Sequence, residues 1–171
     1  MIDLMEFDLN HTFVTSDHHF GSWKKTSYFR VFTKEQEDEA VKKWNSIVKD
    51  NDVVLYVGDF HDCTVRELID YKRMLNGNII LIKGNHDVLP VDLYKGLFKD
   101  VVEELQVQDI WLRHVPYDDG RKQIYGHLHR GESKDPFMLK NGFCACASFH
   151  DGMLLLLNDI LKKINKCSLT S

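Results

Sequence analysis

Apolar residues arrive along this chain in short bursts separated by polar loops and by longer stretches with a helical period. Thr12–Thr15 is β-rich and runs straight into the polar loop SDHHFG. Val53–Val57 and Asn78–Lys83 are strand-length runs bounded by turn residues, the pattern of strands covered on both faces. Before Val53, Glu35–Lys49 places Ala40, Val41, Trp44, Ile47 and Val48 on one stripe, which predicts an amphipathic helix. A second helix has both ends written into it. Thr64 can cap it, with Glu67 closing a capping box, and Asn76-Gly77 supplies a left-handed stop after Leu75. Asp92–Phe98 predicts a shorter helix after Pro90.

From Val101 the pattern changes to strands: Val101–Gln106, Gln108–Arg113, Gln123–Tyr125 and Phe143–Phe149, with a hairpin signal at Asp151-Gly152. A helix from Asn158 comes last, its lysines near the negative end of the dipole. An α/β front half and a β-rich back half predict a two-sheet core with helices outside. No repeat or linker divides the chain, so residues 1–171 are expected to form one domain.

Composition narrows the class. The 171 residues are 43% hydrophobic and 28% charged, an ordinary globular balance. No apolar run approaches the roughly 18 residues of a membrane span. MIDLMEFDLN has no basic leader, and four cysteines without a secretion signal are expected to be reduced thiols in the cytoplasm. A net charge of −4 argues against a stable nucleic-acid complex, though a phosphorylated or nucleotide-type molecule could still be a substrate.

The candidate chemistry sits at strand ends. Asp17 and His19 follow the first strand, Asp59 the second, and Asn85 with His86 the third. His114 follows Gln108–Arg113, and His127 with His129 follow Gln123–Tyr125. Ligands bind at the carboxyl ends of strands in open α/β sheets, so one pocket can gather residues over a hundred positions apart. Singly the patterns are weak, but composition predicts Gly-Asn-His-Asp only roughly 0.003 times in such a chain. Carboxylate oxygen with neutral imidazole suits Mn, Fe, Zn or Ni, without the thiolates of a structural zinc site. One carboxylate can bridge two cations about 3.5–4 Å apart, the separation used for phosphoryl chemistry.

In order, SDHHFG, VGDF, KGNHD, RHVP and GHLH resemble the signature blocks of calcineurin-like metallophosphoesterases over roughly residues 12–165, and Phe13–Asp87 is particularly similar to small bacterial and phage members. The resemblance implies an α/β fold, a four-layer αββα sandwich of two mixed sheets flanked by helices, with a centre for two divalent metals. Manganese is the expected metal, with Fe, Ni, Zn or Mg as alternatives. It implies Asp17, His19, Asp59 and His129 at a first metal, and Asp59 as bridge with Asn85, His114 and His127 at a second. His86 would stand beside the phosphate, oriented by Asp87. Two departures stand out: Ser22 where such proteins often have His, and Cys144-Ala-Cys-Ala-Ser148 where they usually read Asn-Val-Gly-Val-Asp. The expected activity is hydrolysis of phosphate mono- or diesters by metal-activated water. The alternative is an interaction module that keeps the fold without the chemistry.

Other residues stay divided. His18 is read as substrate contact or loop filler, and His61 as a supporting or substrate residue. Trp23, Lys24, Lys25, Tyr28 and Arg30 could form a substrate-binding edge or a solvated loop. His11 and His150 read as surface residues, and Cys144 and Cys146 as small buried hydrophobes. Loops at Ser22–Arg30, His61–Cys63 and Tyr117–Arg121 are left to select the substrate.

Overall fold

The computed structural model describes residues 7–24, 32–129, 139 and 141–167; Lys25, Tyr28 and Arg30 lie outside them. In chain order the elements are β1 (Thr12–Thr15), α1 (Lys34–Ile47), β2 (Val53–Val57), α2 (Val65–Met74), β3 (Asn78–Ile82), α3 (Val91–Lys95), β4 (Asp100–Val102), β5 (Glu104–Val107), β6 (Ile110–Arg113), β7 (Gln123–Tyr125), β8 (Gly142–Cys144), β9 (Leu155–Leu156) and α4 (Leu157–Cys167). One sheet has the order β4-β3-β2-β1-β9 and the other β5-β6-β7-β8. Both are mixed: β9 joins β1 antiparallel and β5 joins β6 antiparallel, while the remaining pairs are parallel. Among the described residues, two mixed sheets and four helices make the α/β sandwich that the sequence implied.

The uninterrupted apolar runs divide their residues between two cores. Phe13, Val54, Tyr56, Ile79 and Leu81 face one layer with Trp44, Leu68, Tyr71 and Tyr94. Their neighbours Val14, Leu55, Val57, Ile80 and Ile82 face the other, against Leu112, Ile124 and Phe143 of the second sheet. Alternation along an extended chain thus buries every residue of β2 and β3 but the first of each. α4 adds Leu157, Ile160, Leu161 and Ile164 to the core between the sheets. Capping boxes form at the start of both long front-half helices, at Thr33/Gln36 and at the expected Thr64/Glu67.

Three expectations change in the back half. Val101–Gln106 is not one strand: β4 belongs to the first sheet and β5 to the second, with Glu103 at the crossing. Each piece mixes buried apolar residues (Val101; Leu105 and Val107) with polar ones, so hydropathy carries no mark of the switch. Phe143–Phe149 stops being a strand after Cys144, because Ala147–Phe149 winds into a 3-10 turn. Asp151 and Gly152 do turn the chain, both at positive φ, but the turn leads into β9 beside β1 rather than into a hairpin with β8.

The two sheets meet at one end. Ser16 N–H donates to the Ala145 carbonyl (3.1 Å) and Ala147 N–H to the Ser16 carbonyl (2.9 Å), a parallel bridge between the continuations of β1 and β8. The carboxyl ends of β1, β2, β3, β6 and β7 therefore open onto a shared crevice.

Candidate metal centre

The loops at that crevice are held in costly conformations. Asp17 (φ 58°), His19 (φ 46°), Asp59 (φ 56°) and His127 (φ 68°) all occupy the left-handed region, which non-glycine residues visit rarely and mainly where surrounding structure enforces it. The enforcement is visible. Asp17 N–H donates to the Gly58 carbonyl and His19 N–H to the Asp59 carbonyl, lacing the first loop to the second. The buried Asp87 carboxylate accepts from the backbone N–H of Asp59 (2.9 Å), Phe60 (3.0 Å) and Gly84 (2.9 Å), tying the second loop to the third. Glycine is required where backbone meets carboxylate. A Cβ on Gly84 would lie 2.2 Å from Asp59 Oδ1, and one on Gly126 would lie 2.4 Å from Asp17 Oδ2.

The side chains converge in two overlapping groups. His19 Nε2 stands 3.5 Å from Asp59 Oδ2 and 4.0 Å from Asp17 Oδ1, and His129 Nε2 is 3.8 Å from Asp17 Oδ1. On the other side of Asp59, His114 Nε2 is 3.2 Å from Asp59 Oδ2 and 3.0 Å from Asn85 Oδ1. His127 Nδ1 is 3.0 Å from Asn85 Oδ1. Two donors each about 2.1 Å from one ion, at tetrahedral or octahedral angles, are roughly 3.0–3.4 Å apart. The second group meets that spacing and the first is slightly wider.

An independent observation also fits a cation. His19 Nε2 is buried and has no hydrogen-bond partner, an unsatisfied atom aimed at two carboxylates. The electrostatics agree. Burial, and then the nearby Cys146 thiol, hold Asp17 well above the usual carboxylate range. Asp59 is lowered: burial is the largest single influence and opposes this, but the hydrogen bond and charge of His114, the His86 amide and the His19 charge together outweigh it. Burial also opposes charge on His114, yet the Asp59 hydrogen bond and the Asp17 charge push it up to about 9. Paired buried carboxylates with a proton drawn onto a neighbouring imidazole are what a cation would replace.

The model of calcineurin-like phosphoesterases matches residues 11–165. The chain belongs to that family. A relative by sequence is an uncharacterized protein of Methanocaldococcus jannaschii, 35% identical over 83 residues, 44% of this chain and 46% of that one. The chain thus spans about half the length of that curated relative. Among solved structures, a protein of unknown function from Aquifex aeolicus superposes with a TM-score of 0.68, at 20% identity, over 89% of this chain and 98% of that one. That likeness concerns the fold.

The phosphoesterase crevice brings together all seven side chains read as ligands, with His86 at its edge. Asp87 takes a different part from the one expected. Its carboxylate is committed to three backbone amides and does not hold the His86 ring. Asp62 does so, with Oδ1 3.1 Å from His86 Nδ1 and Oδ2 3.0 Å from His19 Nδ1. One carboxylate thereby fixes the tautomer of a candidate ligand and of a candidate proton carrier. The available signal was an acid three residues beyond Asp59 in the same loop.

His18 does not face the crevice. It is 0% exposed, stacked on Phe20 (4.9 Å), and its Nδ1 lies 2.9 Å from the Tyr56 hydroxyl. Burial pulls it down to about 3, so it is a neutral core residue and not a substrate contact. His61 is also buried, with Nε2 3.0 Å from the Tyr94 hydroxyl behind the Asp59 loop, a supporting position. Arg30 lies outside the described residues. His11 is exposed and pairs with Asp52, whereas His150 is half-buried, stacked on Phe143 and bonded to the Cys144 carbonyl. Cys146 is buried as expected, but its Sγ lies 3.5 Å from His129 Nδ1, a contact hydropathy could not reveal. Among the described residues, no helix is long and apolar enough to cross a membrane.

Proposed function

We propose that this protein hydrolyses phosphate esters with two divalent cations, held by Asp17, His19, Asp59 and His129 on one side and by Asp59, Asn85, His114 and His127 on the other. The observation that carries the reading is the placement of Asp59, whose Oδ2 lies within 3.5 Å of both His19 and His114. When bound, the ions supply positive charge to the phosphoryl oxygens and a water acidic enough to attack near neutral pH. Manganese is the first candidate for both positions.

The chain's own residues do the rest. Asp62 accepts from Nδ1–H of His86, leaving Nε2 to carry a proton toward the leaving oxygen or to donate to the phosphoryl group. Asn85 contributes a neutral oxygen, so the second position carries less anionic charge than the first. Asp87 keeps the Asp59 and Gly84 backbones in place while this happens. The substrate is a small phosphorylated or nucleotide-type molecule. The test is chelation followed by reconstitution, assayed with nitrophenyl mono- and diesters. Chelator-treated protein should lose turnover and regain it with Mn, with close to two ions per chain by elemental analysis. Full turnover in metal-free protein would sink the reading.

A further inference from the structure

A cleft of about 310 Å³ opens directly behind two of the candidate ligands, Asn85 and His114, and runs along Lys83, Glu104 and Arg113 to Tyr117. Its volume suits a small-molecule group. Its charges cancel. Lys83 Nζ lies 3.8 Å from Glu103, and the Arg113 guanidinium sits 3.7 Å from Glu104 and 3.0 Å from Asp119. A second phosphate would find no net positive field here, so the occupant is neutral. Yet the walls are rich in donors and acceptors. Lys83, Asn85, Glu103 and Glu104 line it, and the Glu103 and Glu104 carboxylates on the rim are 79% and 50% exposed.

Tyr117 supplies a flat surface. The residue is 57% exposed, and its backbone is clamped at both polar atoms by the buried Gln123 (3.1 and 2.5 Å). The Arg113 guanidinium lies 5.1 Å from the ring centroid on one side, itself packed 5.3 Å from Trp111. A rigidly held, open aromatic beside mixed donors and acceptors is how proteins stack and edge-read a nucleobase.

We infer that this cleft binds the nucleoside part of a nucleotide ester, with its base on Tyr117 and its phosphate over the crevice. The inference rests on the phosphoesterase reading for the phosphate's position. His86 lies on the other side of the site with His19 and Asp62, and none of the three lines the cleft. The leaving group departs toward His86, so the nucleoside is the retained group and the substrate a diester.

The experiment compares two diesters of equal charge and identical leaving group: thymidine 5′-(4-nitrophenyl phosphate) and methyl 4-nitrophenyl phosphate, with Mn-loaded protein. Stacking of one base supports a preference of roughly tenfold or more in kcat/KM for the nucleoside ester. Tyr117→Ala should raise KM for that ester alone and bring the ratio close to one, leaving the methyl ester unchanged, while Tyr117→Phe retains the preference. Equal kcat/KM for the two esters in the wild type, or an equal loss on both in Tyr117→Ala, would overturn the assignment. A second measurement needs no turnover: calorimetric titration of free thymidine into both proteins. If neither diester is hydrolysed, the diester assignment fails, nitrophenyl phosphate separately tests the hydrolase reading, and the titration decides the cleft. Thymidine bound by wild type and not by Tyr117→Ala upholds it, and no binding to wild type overturns it.

Discussion

The two halves of the candidate metal centre are built differently, although Asp59 stands beside both. In the first half the imidazoles are steadied by other side chains: Asp62 behind His19, and Cys146 behind His129. In the second half His114 donates from Nδ1 to the Val57 carbonyl at 2.9 Å, at the last residue of β2. A sheet carbonyl cannot be removed by mutation, whereas Asp62 and Cys146 can. The charges differ too. Asp17, Asp59 and Asp62 surround the first position, while the second pairs Asp59 with the neutral Asn85. The first half is therefore the more anionic and the more tunable, and the second is locked by the fold.

Asp59→Asn should break both halves together, since it removes the carboxylate that stands near both groups. We expect elemental analysis to find neither position filled at wild-type affinity. Hydrolysis should fall roughly 10²–10³-fold, the scale of losing one preorganised electrostatic contact at a reacting centre. Two tightly held ions in this variant would refute the bridging role.

Asp62→Asn should break one half only. It disturbs His19 and His86, so first-position affinity should fall roughly 10–100-fold while the second is unchanged. Turnover of an alkyl phosphate, which needs leaving-group protonation, should fall more than turnover of a nitrophenyl ester. Calorimetry resolving two binding steps is the check. Equal weakening of both steps would erase the distinction between the halves.

How much of this was legible depended on whether a role is local in the chain. Val53–Val57 and Gln123–Tyr125 match the expected strands at both ends, because the pattern and its turn residues are contiguous. The placement of the candidate ligands at strand ends was equally legible, since a polar loop after a buried strand is a local signal. Roles set by packing between loops were not. Asp87 and Asp62 are both acids beside motif residues, and only the folded distances decide that one clasps amides and the other a histidine. His18 carries the same composition signal as His19, yet between the left-handed Asp17 and His19 its side chain turns into the core. The switch between β4 and β5 was hidden because Val101 and Leu105 are buried apolar residues alike, yet they belong to different cores.

The second half should betray itself through pH. In the metal-free fold His114 holds its proton up to about 9, against burial, because Asp59 bonds it and Asp17 adds charge. A cation must displace that proton. Second-position affinity should therefore rise about tenfold per pH unit between pH 7 and 9 and level off above. Calorimetry in buffers of different ionisation enthalpy should detect the released proton. Without metal, the raised pKa stabilises the fold fully below the ordinary histidine value of 6.5, and that contribution is lost as pH rises through 9. Thermal melts of the metal-free protein should drop over that interval, and a rise would contradict the assignment.

The smallest effect is expected at Cys146. A neutral His129 that offers Nε2 to a cation carries its hydrogen on Nδ1, so the sulfur 3.5 Å away acts as acceptor. Burial keeps the thiol protonated, and its own hydrogen can turn to Ser148 Oγ at 3.2 Å. Sulfur is a weak acceptor, so Cys146→Ala should cost the first position only a few-fold in affinity, less than Asp62→Asn does. Cys146→Ser, whose oxygen accepts better but sits on a shorter bond, should recover part of that loss. The second position should not respond to either change. Cobalt substitution provides the direct readout: the d–d spectrum of the first-position ion should shift slightly in Cys146→Ala with no band lost. If instead a sulfur-to-metal charge-transfer band disappears, Cys146 was itself a ligand and the donor set of the first half must be redrawn around Asp17, His129 and sulfur.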